Sequence, residues 1–309
     1  MKKYRLVTRN DIDGLMCGAL LNELEMIDDV LFTHPVEIQK NNIEITERDI
    51  IANLPYNEKA HLVFDHHESE MLRVSTLKSN FILDTSSKSV SRVLFNYFGG
   101  SKKFKKITWQ MIKQIDNAKG NGISYNDVID PKDWILLSII LDSRTGLERF
   151  INTEILNSKE YIAIQFIDRI AELGVKNFLF LPDVRERIEL MEKYKEDFIN
   201  QIDRCSKVVN NNIVLMDKRN EKIIYPGNRF FVFTRTEEEV DYLVHVIEGF
   251  YPDEVTIAIR QNPLTISRKV HIGNILYELN GGGNSISGSC QVKTEDLEKT
   301  LAYIYKKLI

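Results

Sequence analysis

Four short stretches hold the residues able to do chemistry. In "TRNDIDG" (Thr8 to Gly14), Asp11 and Asp13 stand two apart, so in an extended segment both carboxylates face one side. Two anions at that spacing repel unless a cation lies between them. Gly14 permits a tight turn into a following helix; the simpler alternative is a turn capped by Asp13. In "LVFDHHESE" (Leu62 to Glu70), Asp65, His66 and His67 follow an apolar run. Three titratable groups at the end of a buried strand are costly unless something compensates them, either a metal ion or mutual hydrogen bonding within the core. Imidazole nitrogen with carboxylate oxygen suits manganese or a similar divalent ion, with Asp65 orienting one imidazole. "TERDIIANLP" adds Asp49, just beyond an expected third strand end. In "NGGGNSISGSCQV", Gly281, Gly282 and Gly283 let backbone N–H groups approach an anion, or else form a turn that caps a helix. "RQNPLTISRK" carries Arg260 and Arg268, each able to clamp a phosphate or to serve as a surface charge.

The surrounding pattern must position these groups. "YRLVT" (Tyr4 to Thr8) reads as a buried strand, and Gly14 to Ile27 as a helix. Asn42 to Thr46, His61 to Phe64 and Phe81 to Asp84 read as strands, and Ser89 to Gly100 as a helix stopped by glycines. Strands alternating with helices indicate an α/β domain with a mainly parallel sheet flanked by helices. Residues 101 to 181 read as helical. Pro182 to Asn211 reads as one long, charged connecting helix. Beyond it, "NIVLMD", "RFFVFT", "EVTIAIR" and "LTIS" read as strands. "TEEEVDYLVHVIEGF", "KVHIGNILYELN" and the C-terminus read as helices. The expected division is therefore 1–181, a helical linker over 182–211, and a smaller C-terminal α/β domain over 212–309.

Bulk properties narrow the function classes. The 309 residues suffice for about two domains. With 43% hydrophobic and 28% charged residues, the chain reads as a soluble globular protein. A net charge of −4 gives no global basic field for long duplex nucleic acid, so the expected ligand is small and anionic. The cluster "SKKFKK" (Ser101 to Lys106) reads as a solvated loop. Cys17, Cys205 and Cys290 are scattered, which suits a reducing, cytoplasmic setting and argues against disulfides or a thiolate zinc site. "MKKYRLVTRND" reads as neither a signal peptide nor a membrane span. No G-x-G-x-x-G follows the first strand, which counts against a dinucleotide fold.

In ordered combination, "RNDIDG", "FDHHESE", a helical connector and "GGGN" resemble the DHH phosphoesterase superfamily. The branch is the one with a DHH-associated C-terminal domain, exopolyphosphatase-related and akin to small-oligoribonucleotide nucleases. "LDSRTGLERF" and "YPGNRFF" are similar to stretches of that group. The resemblance implies two divalent ions, usually Mn2+, with Mg2+ or Co2+ as alternatives. By position it implies ligands at Asp11, Asp13 and His66, with Asp49 as the bridging carboxylate. His67 would face the substrate. The last metal ligand would be Asp116, with Asp142 as the alternative. Arg268, the glycines and Asn284 would contact phosphate or nucleotide. Two positions depart from the pattern: Arg9 stands where many relatives carry His, and Asn284 where the glycine motif normally ends in His. Arginine stays protonated and is a poor metal ligand, so the expectation is either that one metal site lacks a ligand and binds weakly or that Arg9 contacts phosphate instead.

The expected function is a metal-dependent phosphoesterase acting on polyphosphate, a short oligoribonucleotide or a nucleotide bisphosphate. Two metal ions would activate a water, and His67 would hydrogen-bond a non-bridging oxygen or help protonate the leaving group. A homodimer is compatible with this. The competing expectation is a degenerate protein that binds a nucleotide or phosphate without turnover, on the strength of Arg9 and Asn284.

Overall fold

The computed structural model describes residues 2–74, 76, 78–120, 122–236, 239–265 and 270–309. The first part runs β1 (Tyr4–Thr8), α1 (Ile12–Glu23), β2 (Ile27–Phe32), α2 (Pro35–Gln39), β3 (Asp49–Ala52), β4 (Leu62–Asp65), α3 (Glu68–Arg73), β5 (Phe81–Leu83) and α4 (Val90–Tyr97). Helices follow: α5 (Trp109–Ala118), α6 (Tyr125–Ile129), α7 (Asp133–Ile140), α8 (Lys159–Leu179), α9 (Pro182–Lys193) and α10 (Lys195–Cys205). The remainder is β6 (Ser206–Val209), β7 (Ile213–Asp217), β8 (Tyr242–Glu248), β9 (Glu254–Gln261), α11 (Ile272–Tyr277), β10 (Gly282–Asn284), β11 (Ser287–Lys293) and α12 (Leu297–Leu308).

These elements form two compact units. The first comprises Met1–His66, Val74–Gly122 and Pro131–Glu192; the second comprises His67–Arg73, Ile123–Asp130 and Lys193–Ile309. The first unit holds a five-stranded, wholly parallel sheet in the order β2-β1-β3-β4-β5. Chain direction across the sheet reverses between β1 and β3, and in open parallel sheets ligands bind outside the carboxyl ends at that reversal. The second unit holds a mixed six-stranded sheet, β10-β11-β9-β8-β7-β6, in which only the β7–β8 pairing is parallel. The α/β architecture with a parallel N-terminal sheet is as the sequence pattern indicates. Among the described residues, no helix is long and apolar enough to cross a membrane.

Several elements differ from the sequence expectation, each for a physical reason. Asn42 to Thr46 is irregular, and β3 begins at Asp49, where Arg5, Leu6 and Val7 of β1 supply its pairing register. Residues 27 to 32 form β2, the edge strand of the first sheet. Its Asp28 and Asp29 face solvent, which masks an apolar alternation. The expected long helix breaks at Tyr194 (φ −100°, ψ 16°) and ends at Cys205. Ser206–Val209 is a strand, joined to β7 by Asn210, Asn211 and Asn212, the first two with left-handed backbone (φ 53° and 62°). Asparagine tolerates that conformation in turns, so the residues that suggest a helix end instead make a hairpin. "RFFVFT" forms 3-10 turns over Arg229–Thr234, not a strand. Tyr242–Glu248, expected to be helical, is a strand between β7 and β9. Because it is buried on both faces it shows no alternation, and periodicity alone cannot separate such a strand from a helix. Of "LTIS", Ile266 and Ser267 lie outside the described residues; Leu264 and Thr265 are in no strand.

Helix α1 is the spine of the first unit, with Ile12 through Leu21 all buried. Gly14 lies where a Cβ would meet the Arg9 carbonyl oxygen at 2.2 Å and the Thr8 hydroxyl at 2.6 Å. Only a residue without a side chain lets the loop from Arg9 close over the helix start. Gly14→Ala is therefore expected to destabilise the protein by about 1–3 kcal/mol, the range for forcing extra atoms into a packed site. Urea denaturation against the unmodified chain checks this.

Candidate active site

The carboxyl ends of β1, β3 and β4 bring Asp11, Asp13, Asn53, Asp65 and His66 to one edge of the first sheet. Asp11 caps α1: its Oδ1 accepts the Gly14 N–H at 3.0 Å and the Asn53 amide at 3.0 Å. Asn53, immediately after β3, thus ties the ends of the two strands that flank the topological reversal. Asp13, in the first turn of α1, is 1% exposed. The start of α4 explains how a carboxylate survives there. Ser89 caps α4 by accepting the Arg92 N–H, which leaves the next amides pointing outward. Val90 N–H donates to Asp13 Oδ2 and Ser91 N–H to Oδ1, both at 2.9 Å. A helix N-terminus is a favourable place for an anion, because its free N–H groups and dipole both point at it.

The remaining compensation comes from Lys119, at the C-terminal cap of α5. Its ammonium lies 2.5 Å from Asp13 Oδ2 and 3.1 Å from His66 Nε2. His66 is buried, and its Nδ1 lies 3.0 Å from the Ser87 carbonyl oxygen. A carbonyl can only accept, so Nδ1 carries the proton and Nε2 presents its lone pair to Lys119. Asp65 Oδ1 accepts the His66 backbone N–H at 2.7 Å. Burial alone would raise the Asp13 pKa; Lys119, His66 and the amide hydrogen bonds together outweigh it and hold the carboxyl well below its usual range. The Cys17 thiol, buried beneath Asp11, Asp13 and Asp65, is pushed well above its ordinary value by burial and by those carboxylates.

The other expected ligands have different surroundings. Asp49 opens β3 at the amino end, away from the strand ends that carry Asp13 and His66. It receives both Arg5 Nε (2.7 Å) and Arg5 Nη2 (3.0 Å), together with the Thr46 N–H. The expectation of a bridging carboxylate at Asp49 placed the third strand too early; Asn53 holds the strand end instead. Asp116 is buried in α5 and paired with the Arg92 guanidinium and the Ser89 hydroxyl (2.6 Å). Arg92 in turn lies over the Trp109 ring at 4.2 Å. Asp142 caps a short 3-10 turn and is held by Arg144 Nε and Nη2, both at 2.8 Å. Arg9 Nε lies 3.0 Å from Asp11 Oδ2, both side chains about one-third exposed (35% and 32%), so this pair faces solvent at the rim.

Each of the five expected carboxylate ligands therefore has a cation from the chain itself: Arg9, Lys119, Arg5, Arg92 and Arg144. Among the described residues, no group of three or more His, Cys, Asp and Glu side chains is arranged to hold a metal ion. Asp13 and His66 are two donors aimed at one point, and that point holds an ammonium. The donor set does not fit a carboxylate-bridged pair of divalent ions.

The second-unit residues have structural explanations. Gly282–Asn284 is strand β10; a Cβ on Gly281 would sit 2.3 Å from the Ser289 carbonyl oxygen, and one on Gly283 2.2 Å from that of Ser287. These glycines allow the tight β10–β11 pairing. Gly282 and Gly283 also pack on α3: Gly283 N–H donates to Ser69 Oγ at 3.1 Å, and the Arg73 guanidinium binds the Gly281 carbonyl. Asn284 Oδ1 accepts the N–H groups of Ile286 (3.1 Å) and Ser287 (3.0 Å), closing the hairpin turn. Arg260 in β9 lies over the Phe230 ring at 5.7 Å. Arg268 lies outside the described residues. The boundary between the units runs between His66 and His67; the His67 carbonyl accepts the Glu70 N–H as α3 begins. His271 pairs with Glu68 in the same unit. Sequence reasoning missed Lys119, Asn53, Ser89 and the His271–Glu68 pair. Only the "S" before "VSRV" carried a local signal, as a helix cap.

The fold is that of an α/β protein with polar side chains gathered at the carboxyl ends of a parallel sheet, and comparison with solved structures supplies the relationship. A structure described as a pGpG-specific phosphodiesterase, PggH from Vibrio cholerae, is 36% identical, with a TM-score of 0.72. The match covers 98% of this chain and 97% of that one. The chain belongs to the same family as that phosphodiesterase. A second structure, CDC45 from Entamoeba histolytica, aligns over 99% of this chain and 95% of the other at 10% identity. Its TM-score is 0.46. No protein-family model matches the chain, and no curated protein does.

One titration near the rim follows from the geometry. His34, just past β2, caps α2: its Nδ1 accepts the Val36 N–H at 3.3 Å, which requires an unprotonated Nδ1. Burial, and then the nearby Arg9 charge, lower its pKa from 6.5 to about 4. The folded state thus binds fewer protons than the unfolded one. The stability this contributes is present above pH 6.5 and is lost as pH falls toward about 4. NMR titration of the imidazole should show it neutral at pH 5.5; a midpoint near 6.5 would contradict the burial.

Proposed function

We propose that this chain is a phosphodiesterase that hydrolyses the phosphodiester of a small linear nucleotide, with pGpG as the first substrate to test. The single observation carrying this reading is 36% identity to a pGpG-specific phosphodiesterase over 98% of the chain. It narrows the sequence expectation, in which polyphosphate, short oligoribonucleotides and nucleotide bisphosphates stood together. The strand-end site is consistent with it. Arg9, about one-third exposed at the rim, supplies a guanidinium able to take two phosphate oxygens at once. Lys119 contributes a second positive charge, partly exposed, where negative charge builds on the phosphoryl group. His66, with Nδ1 fixed by Ser87, is a base at Nε2 able to take a proton from an attacking water when Lys119 turns to the phosphate. Asp13 stays paired with the Lys119 ammonium as it moves away from His66. Hydrolysis of pGpG at its internal phosphodiester consumes one water and releases two GMP. No step is assigned to a divalent ion, because the donors do not fit the two-ion cluster that the sequence implies.

A second reading, binding without turnover, is favoured by one observation: every expected carboxylate ligand already has its own counter-cation. One experiment separates the two. GMP release from pGpG would be followed by chromatography, with a triribonucleotide, 3′,5′-adenosine bisphosphate and short polyphosphate alongside. Each would be run with added Mn2+ and with chelator. The expected result is turnover of pGpG well above the other three. His66→Gln and Arg9→Ala should each lower kcat/KM by about 10²-fold, the usual scale for a general base or a charge-stabilising donor. Tight pGpG binding with no GMP under either condition would establish the binding reading instead.

A further inference from the structure

We infer that Lys119 is the chain's built-in cation at the centre of the strand-end site, taking the seat between Asp13 and His66 that a divalent ion would otherwise fill. This deepens the reading above, because it concerns the same site, but it stands on separate observations. The first is geometric. Two lone-pair donors, Asp13 Oδ2 and His66 Nε2, converge on one point, and the Lys119 ammonium lies at 2.5 Å and 3.1 Å from them. The His66 tautomer needed for that contact is set from behind by the Ser87 carbonyl. This is the arrangement that orients a metal-binding imidazole, here aimed at an amine.

The second observation is occupancy. Asp13 accepts two amides from the start of α4 besides the ammonium, so three of its roughly four lone-pair sites are taken. The third is that, among the described residues, no group of three or more His, Cys, Asp and Glu side chains could hold a metal ion. Asp11 is taken up by Arg9, Asn53 and the Gly14 amide, and Asp116 by Arg92 and Ser89. At the end of β3 the chain has Asn53, which turns an N–H toward Asp11 and adds no negative charge. The fourth is placement. Lys119 is the C-cap of α5, where the helix dipole favours a cation, and Gly120 follows with φ 90° to turn the chain away. With one carboxylate and one neutral imidazole, the seat balances a charge of one, which matches an ammonium and leaves a divalent ion undercompensated.

The test reads metal binding and not turnover, so it is independent of whether pGpG is the substrate. Free Mn2+ would be titrated by electron paramagnetic resonance with the full-length protein, His66→Gln, Lys119→Met and the double variant Lys119→Met/His66→Gln. The expected result is that His66→Gln leaves the Mn2+ affinity of the otherwise unmodified chain unchanged. Lys119→Met should gain a site at least tenfold tighter, lost again in the double variant. The inference is overturned if the unmodified chain binds Mn2+ one-to-one and His66→Gln weakens that binding tenfold. It is also overturned if Lys119→Met melts cooperatively yet gains no site. Should Lys119→Met fail to fold, the comparison of the unmodified chain with His66→Gln decides alone.

Discussion

A carboxylate buried at a strand end must be neutralised within a few ångströms, and the contact between Asp13 and Lys119 does this for the first unit. Removing either partner from such a pair leaves an uncompensated charge, at a typical cost of 3–5 kcal/mol. Much of the local architecture serves the contact. Helix α4 begins where its first amides meet Asp13, and Ser89 both caps that helix and bonds Asp116 in α5. Helix α5 ends where its last residue can reach across to the strand ends. Gly14 lets the loop after β1 close tightly enough to bring Asp13 into the same space.

The sheet decides which residues can share this space. Because β1 lies between β2 and β3, the chain leaves its first strand at the one place where neighbouring connections diverge, and a crevice opens there. Asp11 and Asn53 span it by a single hydrogen bond, and His66 enters from the end of β4. In a parallel sheet the two ends are not equivalent. Asp49 opens β3 and Asn53 directly follows it, yet only the second is at the edge that carries Asp13 and His66.

Some of this was legible in the residues alone. The alternation of apolar strands with helices, and the placing of "NDIDG" and "DHH" at strand ends, needed only local periodicity and the cost of burying charge. The misreadings also have local causes. The apolar residues of "NIEIT" outweighed those of "DIIA", which shifted the third strand and with it the assignment of Asp49. The run Tyr242 to Ile247 satisfies a helical pattern and a doubly buried strand equally, and only its pairing with β7 and β9 selects the strand. Asn210 and Asn211 look alike as a helix end or a hairpin turn until β6 pairs with β7.

What the sequence by itself determined was the chemistry available: paired aspartates, an aspartate followed by two histidines, and glycines where backbones crowd. Residue types and short-range spacing carry that information, because hydrogen bonding, charge and steric size are properties of the residues themselves. What only the tertiary structure decided was which opposite charges meet. Lys119 lies 106 positions from Asp13 and 53 from His66. Nothing in "DNAKG" marks its lysine as different from the many that face water. Electrostatic pairing acts through space over a few ångströms, and the fold alone sets those distances.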